Sequence, residues 1–110
     1  MKRIIALVQP ASVLAIREAL IDAGAQGLTV NEALGGGQAY PYRVRGAFAP
    51  LAPMIRIEVL TQTEAAPRLI EAILSTFPQG SRRERGKIFV AAVEEVIRIR
   101  TQEVDGAALS

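Results

Sequence analysis

The chain has 110 residues, 50% of them hydrophobic and 22% charged, with a formal net charge of +2 and no Cys, His or Trp. The missing Cys and His exclude thiolate and imidazole metal sites, Cys and His nucleophiles, and the Ser-His-Asp arrangement. That length suits one domain burying roughly 65% of its extended surface, and no run of 18 or more apolar residues is present to span a bilayer.

The first element is an apolar, β-branched strand over residues 2–8 (KRIIALV). The start Met1-Lys2-Arg3 is basic, but the apolar stretch after it, residues 4–8, is too short for a signal peptide, and a cytoplasmic location is expected. Pro10 and Ser12 punctuate the chain, and Ser12 is placed to cap a helix beginning at Val13. In that helix Val13, Ile16, Leu20 and Ala23 recur on one face, and Gly24 closes it. Residues 27–32 (GLTVNE) read as a second strand. Residues 34–53 then hold four glycines and three prolines and read as a long loop. A third strand covers residues 54–61, where Ile55, Ile57 and Val59 alternate with Met54, Arg56, Glu58 and Leu60. A second helix covers residues 63–76, with Ala66, Leu69, Ile70 and Ile73 inward and Pro67 in its tolerant first turn. After an Arg-rich loop, residues 87–93 form a fourth strand and residues 96–101 a short fifth. The tail, 103–110, carries no strong signal and is expected to fray.

The order β-α-β-β-α-β is that of a ferredoxin-like α+β fold, in which two helices cover one face of an antiparallel sheet. Strands one and four are apolar on both sides, with Ile5 and Leu7 opposed to Ile4, Ala6 and Val8. Two helices cannot cover both faces, so self-association is expected.

Of the 13 basic residues, 11 are Arg, whose rigid fork of donors suits phosphate and carboxylate. Arg82, Arg83, Arg85 and Lys87 crowd one loop. Arg98 and Arg100 alternate with Ile97 and Ile99, which on a strand puts both guanidiniums on one face about 6.6 Å apart. Gly35-Gly36-Gly37 lets backbone N–H groups approach an anion. The tip Tyr40-Pro41-Tyr42-Arg43-Val44-Arg45 joins residue types favoured at protein contacts, so Tyr40, Tyr42, Arg43 and Arg45 are candidate partner-binding residues. Glu58 and Arg56 share a strand face and are read as an ion pair rather than as catalytic groups. The small net charge argues against bulk nucleic-acid binding.

The stretches GLTVNE (27–32), GGG (35–37), MIRIEVL (54–60) and GKIFVAAVEEVIRIRT (86–101), with the start MKRIIALVQP, resemble the PII signal-transduction family. The resemblance runs from Met1 to about Thr101. It implies a PII-like domain over 1–102, with a T-loop over about 35–53, a B-loop over about 79–87, and a C-terminal tail at 103–110. It further implies a homotrimer that binds adenine nucleotide (ATP, ADP or AMP) between subunits. Carried across by position, Thr29, Glu58, Leu60 and Leu7 would surround the base and ribose. Gly35, Gly37, Gln38, Gly86 and Lys87 would border the phosphates, and Arg98 and Arg100 would neutralise them from the neighbouring subunit. Control of a membrane transporter or metabolic enzyme would run through the T-loop, with no nucleic acid and no membrane insertion.

The departures from the family pattern are chemical. Glu84 and Arg85 stand where the B-loop has a glycine and an aspartate. Phe48 stands nearest the tyrosine that many bacterial members modify. Ala39 replaces a glutamine that helps hold Mg²⁺ with 2-oxoglutarate, so Mg²⁺ is left open. Met54 replaces the lysine that pairs with the 2-oxoglutarate carboxylate and can donate no hydrogen bond. Divergent PII-like proteins associated with carboxysomes or bicarbonate transport suggest bicarbonate as an alternative effector. No catalytic residue and no protein metal site is expected. The alternative reading is a small phosphate-binding ferredoxin-like enzyme of phosphatase type. An RNA-binding sheet is disfavoured because strands one and three carry no exposed aromatics for stacking.

Overall fold

β1 (Lys2–Val8) runs between β5 (Ala52–Thr61) and β6 (Lys87–Ala92), and β2 (Thr29–Gly35) pairs with the far side of β5. The sheet order is therefore β2-β5-β1-β6, and every neighbouring pair is antiparallel. This is the ferredoxin-like arrangement that the element order anticipates. The structure is a computed structural model that describes residues 1–35, 42–44, 47–49, 51–78 and 86–109.

A 3-10 turn (Pro10–Ser12) leads from β1 into α1 (Val13–Asp22). Ser12 is the residue before that helix, but no side-chain bond caps it, so the turn rather than a hydroxyl sets its start. At the other end Gly24 has φ of 98°, and the Gly24 and Ala25 N–H groups donate to the carbonyls of Ile21 and Leu20. That is the paired closure which a left-handed residue makes possible. A second 3-10 turn (Thr63–Ala65) precedes α2 (Ala66–Ser75), where Pro67 sits in the first turn. Arg68 Nε donates to the Ala23 carbonyl at 2.8 Å, tying α2 to the end of α1.

The core lies between the helices and one sheet face. Ile4, Ala6 and Val8 of β1, Ile57 and Val59 of β5, Ile16 and Leu20 of α1, and Ala66, Leu69 and Ile73 of α2 form one buried cluster. Val13, Ala23 and Ile70 pack partly buried against it, which completes the predicted inward sets.

Register rather than local pattern fixes the strand ends. β2 starts at Thr29, because Gly27 and Leu28 precede its first pair with β5, and it runs on to Gly35 opposite Ala52. β5 accordingly begins two residues before the expected Met54. Pro53 is tolerated there because β1 ends its pairing at Val8 and Ile55, leaving β5 only one neighbour beyond. The expected long loop also contains a short hairpin of β3 (Tyr42–Val44) and β4 (Ala47–Ala49).

The expected fifth strand is not formed. β6 stops at Ala92, and among the described residues no strand pairs with residues 96–101, so their alternation has no ladder to join. The segment turns on itself instead. Ile97 makes a single bridge to Val104, the Arg98 N–H donates to the Glu103 carbonyl at 2.9 Å, and the Gln102 N–H donates to the Arg98 carbonyl at 2.8 Å. A 3-10 turn (Asp105–Leu109) follows, in a tail where the sequence suggested no element.

The two sheet faces differ as the apolar pattern of β1 implies. Ile5 faces away from the helices between Glu58 and Phe89 and is only 1% exposed within this one chain. On the outer strands Phe89 on this face, and Val30 and Val90 on the helix-bearing face, are each more than 40% exposed, which leaves apolar surface at both edges for a further chain to cover. Among the described residues no helix is long and apolar enough to cross a membrane.

Candidate functional site

The helix-free face of the sheet is organised in rows by the register. Leu60 and Arg3 are cross-strand neighbours, Thr29, Glu58, Ile5 and Phe89 form the next row, and Asn31, Arg56, Leu7 and Lys87 the row after it. Because side chains alternate along a strand, Thr29, Glu58, Leu60, Leu7 and Lys87 all project from this one face. Five of the residues singled out in the sequence are thus on a common surface.

Three of them line a groove. Gly27, Leu28 and Thr29 at the entry to β2, Glu58 and Leu60 on β5, and Ala108 and Leu109 from the tail surround a space of about 320 Å³. Leu28, Leu60 and Leu109 give it apolar surface, while Thr29 offers a hydroxyl and Glu58 a carboxylate. A slot lined by both polar and apolar surface suits a planar heterocycle carrying hydrogen-bonding edges.

Glu58 is held in place. Its carboxylate lies 3.0 Å from Arg56 Nη2 and 3.7 Å from Arg3 Nε, so the predicted pair with Arg56 is formed and Arg3 extends it. The Glu58 side chain is 21% exposed, which leaves it reachable from the groove.

The remaining residues are more dispersed. Leu7 is half-buried and Lys87 exposed, one row from the groove, and Gly86 is exposed beside Lys87. Gly35 lies at the far end of β2, six residues or about 20 Å from Thr29. A Cβ on Gly35 would run into Met54 Sδ, so the thioether at the position of the family lysine lies over this glycine.

Arg98 and Arg100 do not share a strand face, which corrects the spacing argument. Arg98 is drawn into the tail, with Nη1 3.7 Å from Glu103 Oε1 and Nη2 donating to the Ala107 carbonyl at 3.4 Å. Arg100 is exposed in the turn. Gly37, Gln38, Tyr40, Arg45, Arg82, Arg83 and Arg85 lie outside the described residues, and Tyr42 and Arg43 are described only as backbone of β3.

The sequence reading missed Gly27, Leu28, Arg3, Ala108 and Leu109 at this site. The apolar triplet Ala107-Ala108-Leu109 after a charged stretch was the available signal for the last two.

The family model "Nitrogen regulatory protein P-II" matches residues 1–103. The chain belongs to the P-II family. It is 41% identical over 113 residues to the nitrogen regulatory protein P-II of Azospirillum brasilense, covering 99% of this chain and 100% of that one. It is 43% identical over 107 residues to that of Rhizobium meliloti, covering 94% of this chain and 95% of the relative. A more distant relative, the nitrogen regulatory protein P-II 2 of Methanothermobacter thermautotrophicus, is 36% identical over 107 residues, covering 94% of this chain and 92% of that one. P-II proteins are regulatory signal transducers and not enzymes, so the phosphatase alternative is set aside.

Proposed function

We propose that this P-II protein is a cytoplasmic homotrimer that binds an adenine nucleotide at the groove and reports it to a partner transporter or metabolic enzyme through the loop at 35–53. The observation that carries this reading is the meeting of Thr29, Glu58 and Leu60 at one groove wall. They are three of the four positions that the family resemblance assigns to the base and ribose, the fourth being Leu7, one row away.

The chemistry is consistent along the face. Leu60 and Leu28 offer apolar contact to the base, Glu58 can accept from an exocyclic amine or a ribose hydroxyl, and Thr29 can donate or accept. Phosphates would extend towards Lys87, Gly86 and the glycines that begin the loop. Lys87 and Arg100 are exposed cations, whereas Arg98 already holds Glu103 and Ala107. The phosphate grip is therefore assigned first to Lys87 and Arg100, with Arg100 reaching from a neighbouring copy.

Signalling follows from differential binding. A nucleotide that contacts Gly35, Gly37 and Gln38 favours those loop conformations in which the contacts exist, and so biases what Tyr40, Tyr42, Arg43 and Arg45 present to a partner. A second effector, a small carboxylate such as 2-oxoglutarate or bicarbonate, would act in nitrogen or carbon metabolism respectively. Met54 in place of a lysine weakens the case for the dicarboxylate.

Calorimetric titration with ATP, ADP and AMP, each alone and with 2-oxoglutarate or bicarbonate, tests the ligand. Sedimentation equilibrium tests the trimer. No heat and no thermal stabilisation with any adenylate, or a stable monomer, would remove this reading.

A further inference from the structure

Arg98 has an acidic partner within its own chain. Its Nη1 lies 3.7 Å from Glu103 Oε1, and its Nη2 donates to the Ala107 carbonyl at 3.4 Å. The turn between them presents that partner. The Arg98 N–H donates to the Glu103 carbonyl at 2.9 Å, and the Gln102 N–H donates to the Arg98 carbonyl at 2.8 Å. Gln102 adopts φ of 59°, the left-handed step by which residues 98–103 double back. Thr101 Oγ1 donates to Glu103 Oε1 at 2.7 Å and orients the carboxylate. An oxyanion is thus built into the chain where the Arg98 guanidinium reaches it.

The hold is loose. Charge-assisted bonds between a guanidinium and an oxyanion close to about 2.7–2.9 Å, and both of these contacts are longer. The Glu103 side chain is 44% exposed and that of Arg98 27%, so water screens the pair. A guanidinium fork takes carboxylate and phosphate oxygens alike. A di- or triphosphate brings several charges where Glu103 brings one, whereas a neutral nucleoside has nothing to offer in exchange.

Resting on the nucleotide reading above, we propose that Glu103 is an internal competitor of phosphate for Arg98, a regulatory residue that lowers affinity for phosphorylated ligands and leaves affinity for the bare nucleoside untouched. Once Glu103 is displaced, Arg98 joins Lys87 and Arg100 at the phosphates, the role that the family resemblance implies for it. Part of the gain from that grip is spent on parting the ion pair. Nucleotide affinity is therefore held down by a residue that touches no part of the ligand, which suits a sensor that has to exchange one nucleotide for another.

The test titrates the full-length chain and its Glu103→Gln, Arg98→Ala and doubly substituted variants with adenosine and with ADP by calorimetry, with thermal midpoints recorded for each. Glutamine keeps an acceptor for Thr101 and removes the charge. Glu103→Gln tightens ADP by about threefold, the contribution of a partly exposed ion pair, and leaves adenosine unchanged. In the Arg98→Ala background the same substitution leaves ADP where Arg98→Ala alone puts it, which separates competition for Arg98 from plain repulsion between Glu103 and phosphate. ADP affinity unchanged or weaker in a folded Glu103→Gln chain overturns the proposal. So does adenosine tightening by the same factor as ADP, or a gain for ADP that persists without Arg98. If the unaltered chain binds neither adenosine nor ADP, the nucleotide reading itself fails, an outcome distinct from a chain that binds ADP and is indifferent to Glu103.

Discussion

Glu58→Gln separates what the carboxylate does for the fold from what it does for a ligand. In the protein the carboxylate sits 3.0 Å from Arg56 Nη2 and 3.7 Å from Arg3 Nε, on a side chain 21% exposed. Glutamine keeps the shape and one acceptor oxygen, so Arg56 retains a hydrogen bond while both charge pairings are lost. Partly exposed pairs of this kind contribute about 0–1 kcal/mol each, so the stability cost is about 1 kcal/mol and shrinks at high salt. For a ligand the difference lies between a hydrogen bond to a charged acceptor, about 1.5–3 kcal/mol, and one to a neutral acceptor, about 0.5–1.5 kcal/mol. The gap between the midpoints, about 1.2 kcal/mol, corresponds to roughly eightfold weaker binding of adenosine. Titration calorimetry on both proteins, with thermal unfolding at low and high salt, measures the two effects separately. A folded variant that binds adenosine within about twofold of the unaltered chain would show that Glu58 is an ion-pair residue of the sheet and no part of the site.

Leu69→Ala opens a cavity in the cluster between α2 and the sheet, where Leu69 is 1% exposed. The loss is about 2–5 kcal/mol by denaturant unfolding, and a loss under about 1 kcal/mol contradicts the assigned core. Gly24→Ala puts a side chain at φ 98° and costs about 1–2 kcal/mol, read as a lower unfolding midpoint. An equal or higher midpoint there would refute the helix closure. Arg100→Ala weakens ADP several-fold more than adenosine in paired titrations and flattens the salt dependence of ADP binding. Equal losses for both ligands would place Arg100 away from the phosphates.

The parts of the fold legible in the sequence are those whose burial follows from local periodicity. Ile16 and Leu20 on α1, Leu69 and Ile73 on α2, and the alternation of β5 each state their inward face unaided. Strand ends were less legible because they depend on a partner distant in sequence, as Gly35 opposite Ala52 shows. Residues 96–101 mark the limit most clearly. Their Val-Ile-Arg-Ile-Arg alternation satisfies every local criterion for a strand, but a strand also needs an edge to join, and Ile99 is left 95% exposed in a turn. At the candidate site Thr29, Glu58 and Leu60 were found by resemblance and are joined by register. Ala108 and Leu109 were missed because a short apolar triplet near the chain end carries no periodicity, and only the turn at Gln102 and Asp105 directs it back to the sheet.

The position of β1 also governs when the molecule can fold. Its two ladder partners, β5 and β6, begin at Ala52 and Lys87, so its second side stays open until almost the whole chain has been synthesised. A nascent polypeptide released before Lys87 carries Ile4, Ile5 and Val8 on a strand with one unmated margin, the exposure that recruits chaperones or seeds aggregation. Completion of the sheet is consequently a late event in translation, and nonsense truncations upstream of β6 yield sticky fragments rather than smaller working proteins.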